Sequence, residues 1–217
     1  MPCAVGPLRR DQLAHLVRAA GAILQADDVV VIGSQAIVGS YDEMILPAEV
    51  ILSIEADIAP IGDDDGRRAD LIDGSIGEAS MFHEAYGVYA QGVDLSTALV
   101  ASGWRDRLLP LVDPATGTTG WCLDVHDLCA AKLLAARPKD GVFVGAVIGA
   151  RLADPAEIGR LLDDTDVGEE RRQPARAKLA AMADNGLPAA GRASWWRRRH
   201  SWIADRLRQA PRRRPEL

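Results

Sequence analysis

The chain has 217 residues, 48% of them hydrophobic and 26% charged, which is enough for one domain or one domain with an extension. With 5% aromatic residues, a mean hydropathy near zero and no uncharged apolar run of about 18 residues, a collagen-like fibre, a wholly disordered chain and a membrane span are excluded. The net charge of −6 conceals a segregation, because residues 192–217 hold nine arginines against Asp205 and Glu216, net +7, leaving −13 on residues 1–191. An acidic body is a poor general surface for nucleic acid, whereas the arginine-dense tail suits a phosphate backbone, an acidic partner or a solubilising role. Met1 to Arg10 contains no apolar signal segment, so a cytoplasmic protein is expected. Cys3, Cys122 and Cys129 lack metal-knuckle spacing and are expected to be reduced thiols, with no disulfide-linked partner.

In chain order, Leu13, Leu16, Val17, Ala20 and Leu24 recur at three- and four-residue spacing and predict an amphipathic helix over 11–24. Val29-Val30-Val31-Ile32 reads as a buried strand ended by Gly33-Ser34, with a short helix from Gln35 to Val38. A second strand is predicted over 50–59, its alternation placing Ser53, Glu55 and Asp57 on one face and Ile54, Ala56 and Ile58 on the other. Residues 62–68 form an acidic loop in which Asp63-Asp64-Asp65 is solvated, and residues 70–80 carry no decisive pattern. Tyr86 to Asp94 reads as a third strand, and the runs 108–112 and 121–123 around the turn cluster 113–120 as a hairpin. Helices are predicted from Asp124 or His126 to Ala136, over 142–152, 154–162 and 176–185, then a linker over 187–193 and a last helix over 194–208.

Chemistry concentrates at two of these elements. Glu55 and Asp57 on one strand face place two carboxylates side by side, an arrangement that costs energy unless a cation joins them. Mg²⁺ takes carboxylate oxygens and shares its remaining positions with phosphates, so an acidic pair beside a phosphate-cradling turn points to metal-assisted phosphoryl transfer. Gly33 lets the backbone approach a phosphate, and Ser34 adds a hydroxyl and a helix N-terminal N–H. His15, His83 and His126 lack metal-ligand spacing and read as surface or capping residues, and the tryptophans read as packing residues with an indole N–H to satisfy.

A Gly-Ser turn opening a helix, an acid-x-acid pair on the next strand and a later third acid resemble the nucleotidyltransferase superfamily typified by DNA polymerase beta and the minimal nucleotidyltransferases. The matching residues are Gly33-Ser34 and Ser53-Ile-Glu-Ala-Asp57. Residues 29–152 look like a bacterial branch related to abortive-infection-type nucleotidyltransferase toxins, in which a downstream helix carries a lysine and a basic-acid pair. Lys132, Arg137, Lys139 and Asp140 resemble that segment, and two of the chain's three lysines fall in it. The spacing from Ser34 to Glu55 exceeds that of the family, so residues 41–49 are expected to form an inserted loop, and the first acid is Glu where Asp is commoner.

The resemblance implies an α/β (α+β) fold, a nucleotidyltransferase-like mixed sheet flanked by helices with a helical C-terminal extension. It divides the chain into 1–153, a helical extension over 154–191 and a basic helix and tail over 192–217. It also implies transfer of a nucleoside monophosphate from an NTP to an RNA or protein hydroxyl, possible only with Mg²⁺ held by Glu55 and Asp57. Asp94 is the expected third acid, either a ligand of a second ion or the base, while Ser34 and Lys132 bind the triphosphate. The rival expectation is a catalytically degenerate nucleotide- or partner-binding module of a toxin–antitoxin or regulatory pair, with an antitoxin-like partner.

Overall fold

The computed structural model describes residues 7–63 and 65–186. The expectations for Cys3, Asp64, the linker, the last helix and the arginine tail lie outside the described residues.

The apolar face of the first segment folds as predicted into α1 (Arg10–Leu24), which buries Leu13, Leu16, Val17 and Ala20. The β-branched run becomes β1 (Asp28–Ile32), and the turn after it leads into the short α2 (Ala36–Ser40). Residues 41–50, the expected inserted loop and its continuation, hold two single 3₁₀ turns, Glu43–Ile45 and Ala48–Val50. The second strand is therefore shorter than its pattern suggests: β2 spans Glu55–Ala59. Its start is set where the Ser53 hydroxyl accepts from the Glu55 N–H at 3.1 Å.

The segment without a decisive pattern is helical. In α3 (Arg67–Ile76) the Asp63 carboxylate accepts from the N–H groups of Arg68 and Ala69, so this acid caps a helix instead of being merely solvated. The expected strand over 86–94 divides into α4 (Met81–Tyr86), capped by Ser80 and stopped by Gly87, and a four-residue β3 (Tyr89–Gly92). After a one-turn α5 (Trp104–Arg107), the hairpin is present as β4 (Leu109–Val112) and β5 (Thr119–Cys122). Asp124 caps α6 (Val125–Ala135). Next come α7 (Pro138–Gly149), α8 (Pro155–Asp164) and α9 (Glu169–Gly186). The first of these starts four residues before the predicted onset because Pro138 occupies a first-turn position, where its missing N–H costs nothing.

The fold is the expected mixed α/β arrangement, one five-stranded sheet in the order β3-β2-β1-β5-β4 with helices packed around it. The central β1 runs antiparallel to β2 and parallel to β5, while β2 runs parallel to β3. Every residue of Val29–Ile32 is buried, as a strand at the centre of a layered fold requires. Packing of α1 across β1, β2 and β5 and of α3 across β2 and β3 covers the sheet on the side of Ala56 and Ile58. Beyond the sheet, α8 and α9 pack on α6, and α9 also on α7. Cys122 and Cys129 are buried free thiols, and burial pushes the Cys122 thiol up to about 12. No helix among the described residues is long and apolar enough to cross a membrane.

Candidate functional site

Two backbone facts create the acidic side of the site. Alternation along β2 turns Glu55 and Asp57 to one face, and the pairing of Ile32 with Asp57 brings the latter beside the exit of β1. There the chain turns through Gly33, whose φ of +69° favours glycine. A methyl group on Gly33 would stand 1.7 Å from Asp57 Oδ2, so the carboxylate lies directly against the bare glycine. Only glycine meets both demands.

The basic side comes from the C-terminal helices. Lys132 on α6 is buried, and its Nζ donates to Ser34 Oγ and to Asp140 Oδ1, each at 3.0 Å. Arg137 Nε donates to Asp140 Oδ2 at 2.8 Å, so both oxygens of this buried carboxylate are engaged by cations. The Lys132 ammonium also lies 4.5 Å from the centre of the Phe143 ring. Burial alone would raise the Asp140 pKa, but the hydrogen bonds from Arg137 and Lys132 outweigh it and hold the group below the usual carboxylate range.

The two sides face one cleft of about 470 Å³. Gly33, Ser34, Glu55 and Asp57 line it from the sheet, and Lys132, Arg137, Lys139 and Asp140 from α6 and the start of α7. Eight of the nine residues singled out in the sequence are thus brought together. Asp94 is not. It follows β3, is exposed, and turns its carboxylate to the Ser96 N–H at 2.7 Å, capping a 3₁₀ turn over Leu95–Thr97. The position beside Asp57 on β3 belongs to Gln91, which lines the cleft.

Desolvation, and then the neighbouring Glu55 carboxylate, push Asp57 up to about 6, against the lowering influence of Lys132, Arg137 and Lys139. Tyr89, opposite Glu55 in the β2–β3 register, donates its hydroxyl to Glu55 Oε2 at 2.7 Å, and burial with this bond raises the phenol pKa. Tyr89, Gln91 and Phe143 were not singled out by sequence reading. The first two stand at alternate positions of a predicted strand, but only the register with β2 shows that they meet the acidic pair.

Other polar groups take structural places. Trp121 Nε1 donates to Asp28 at 2.8 Å, His83 Nδ1 accepts from the Ala79 N–H, and the His15 ring packs against Tyr86 and Phe82. His126 pairs with Asp124 at 2.9 Å and does not line the cleft.

Two carboxylates on one strand face, a glycine turn against one of them, and a buried lysine bonded to the serine of that turn form one constellation. A family described as "Nucleotidyltransferase of unknown function (DUF6036)" matches residues 11–172. The chain belongs to this family. The matched span covers all five strands and both sides of the cleft, so this nucleotidyltransferase carries its family's match over the whole candidate site. Comparison with curated proteins and with solved structures gives no significant match.

Proposed function

We propose that this nucleotidyltransferase transfers the nucleoside monophosphate of an NTP to a hydroxyl group of an RNA or protein acceptor, with Mg²⁺ held by Glu55 and Asp57. The observation that carries this reading is the convergence of the acidic pair, the Gly33-Ser34 turn and Lys132 on one cleft. The donor set fits a hard divalent cation. Two adjacent carboxylates, one with its pKa raised partly by the other, are relieved when a +2 charge is shared between them. When bound, the cation supplies charge neutralisation at the reacting phosphate.

The chain's own groups do the rest. Bare backbone at Gly33 lets the Asp57 carboxylate lie against the turn, and Ser34 beside it offers its hydroxyl to the triphosphate. Lys132 presents a compact positive charge at the same place, with Asp140 fixing its direction. Arg137 and Lys139, both exposed on the rim, favour approach of a polyanion. In the reaction the acceptor oxygen bonds to the α-phosphorus as the bond to the bridging oxygen breaks. Pyrophosphate leaves and the hydroxyl proton passes to solvent or a base, and positioning with charge stabilisation supplies the acceleration.

A second reading, nucleotide binding without transfer, is favoured by the placement of Asp94 outside the cleft. One experiment separates the two. The protein is incubated with Mg²⁺, each α-labelled NTP, total RNA and cell lysate, with Asp57→Ala alongside. Label on an acceptor that disappears in the variant supports transfer and identifies the acceptor class. Absence of label, with NTP binding retained in calorimetry, leaves the binding module.

A further inference from the structure

We propose that the acidic face of the cleft holds one divalent cation and not two, because β3 presents a phenol and an amide, Tyr89 and Gln91, where a third carboxylate would have to stand. This inference rests on the cation reading above and sharpens it.

Parallel pairing of β2 with β3 sets Glu55 beside Tyr89 and Asp57 beside Gln91, and paired residues in a ladder share a face. The strand that flanks the acidic pair therefore offers two groups that are neutral at neutral pH. The carboxylates elsewhere do not make up the deficit, and Glu49, which also lines the cleft, forms no group of three with Glu55 and Asp57. Asp140 spends one oxygen on Lys132 and the other on Arg137, and Asp94 caps its own 3₁₀ turn outside the cleft. Among the described residues no group of three carboxylate, imidazole or thiol side chains is placed to hold a metal ion. Two carboxylates balance one +2 ion. A second ion would find no further carboxylate grouped with this pair among the described residues, and one arriving with a triphosphate would be held by the nucleotide.

Tyr89 has a distinct part in this arrangement as a positioning residue. Its hydroxyl occupies Glu55 Oε2 at 2.7 Å, which leaves Oε1 as the oxygen free to turn toward a cation shared with Asp57. Gln91 contributes an amide oxygen, a weak neutral ligand, or an amide N–H toward Asp57.

The test is a titration of the full chain at pH 8 with Mn²⁺ alone, the free ion being read by electron paramagnetic resonance, for the wild type, Asp57→Asn, Gln91→Asp and Tyr89→Phe. Thermal unfolding without metal confirms that each variant is folded. One equivalent that is lost in Asp57→Asn is expected. Gln91→Asp, which adds a carboxylate, should bind Mn²⁺ about tenfold more tightly or take up a second equivalent. Tyr89→Phe should keep the stoichiometry and weaken the affinity about tenfold, as loss of a ligand-orienting hydrogen bond does. Two equivalents in the wild type, both removed by Asp57→Asn, would overturn the single-cation inference while leaving the cation reading intact. Identical titrations of wild type and Asp57→Asn would instead remove the cation reading itself. A Gln91→Asp protein that titrates like the wild type overturns the placement of Gln91, and if that variant does not fold, the wild-type stoichiometry decides alone.

Discussion

Lys132 Nζ donates to the Ser34 hydroxyl at 3.0 Å across 98 positions of sequence, joining the last turns of α6 to the turn that follows β1. The same ammonium is neutralised by Asp140, which is itself almost wholly buried. Removing one partner of a buried pair costs more than the pair contributes, because an uncompensated charge stays behind. Asp140→Ala should therefore lower the unfolding free energy by about 3–5 kcal/mol. Arg137→Ala, which breaks a contact whose arginine side chain is 59% exposed, should cost less than about 1 kcal/mol. Urea unfolding of the two variants checks the order.

Ser34→Ala removes one acceptor of the lysine but leaves Asp140 in place. The fold should lose no more than about 1 kcal/mol. NTP affinity, measured by calorimetry, should fall about tenfold if the hydroxyl contacts the triphosphate, since that is the worth of one such hydrogen bond.

Gly33→Ala tests the turn. Its φ of +69° alone costs an alanine about 1 kcal/mol, and the added methyl would also displace the Asp57 carboxylate lying 1.7 Å from its place. Expected results are a lower melting temperature together with loss of NTP binding. A Gly33→Ala protein that binds nucleotide as the wild type does would show that the turn does not serve the ligand.

Asp57 carries a cost in the metal-free protein. Its folded pKa of about 6 lies above the ordinary 3.8, so the native state is penalised once the group is ionised. The sign follows from proton uptake: well below pH 3.8 both states are protonated and no penalty exists, it grows as pH rises from there, and above about pH 6 it is complete. Asp57→Asn should thus stabilise the metal-free protein at pH 8 by about 1–3 kcal/mol and by much less at pH 4. Melting temperatures at the two pH values decide, and inactivity with added stability is the pattern of a strained site.

His126 gives a dependence of the same sign, from a favourable pair in place of a penalty. Burial would lower its pKa, but the hydrogen bond and charge of Asp124 outweigh burial and raise it above the ordinary 6.5. Stability from this pair is complete below pH 6.5 and is lost as pH rises through the folded pKa. Asp124→Asn should remove that slope, and a plot of unfolding free energy between pH 5.5 and 8.5 reads it directly.

What was legible in the sequence is what local chemistry dictates. The run Val29–Ile32 had to be an interior strand, Gly33-Ser34 a turn, and Glu55 with Asp57 neighbours on one strand face, because side chains alternate along a strand wherever it lies in the fold. The α6 segment was equally plain from its Leu- and Ala-rich run, its acidic cap and the proline that follows. Short-range signals misled where turns compete with strands. Residues 50–53 are apolar enough for a strand but sit beyond the last partner that β1 and β3 offer, and a strand without a ladder leaves its N–H and C=O groups unpaired.

Pairing between distant segments is what tertiary structure decided. Whether Asp94 or Gln91 stands beside Asp57 depends on the register of β3 against β2, and a shift by one residue exchanges the two faces. Nothing in residues 86–94 alone specifies it. The approach of Lys132 to Ser34 likewise follows from how α6 packs over the sheet, a matter of core shape and not of either segment's composition. Residue types and their local faces were therefore set by the sequence directly, while the meeting of the acidic pair with its lysine, and the standing of Gln91 in place of Asp94 beside Asp57, were set by packing and strand register.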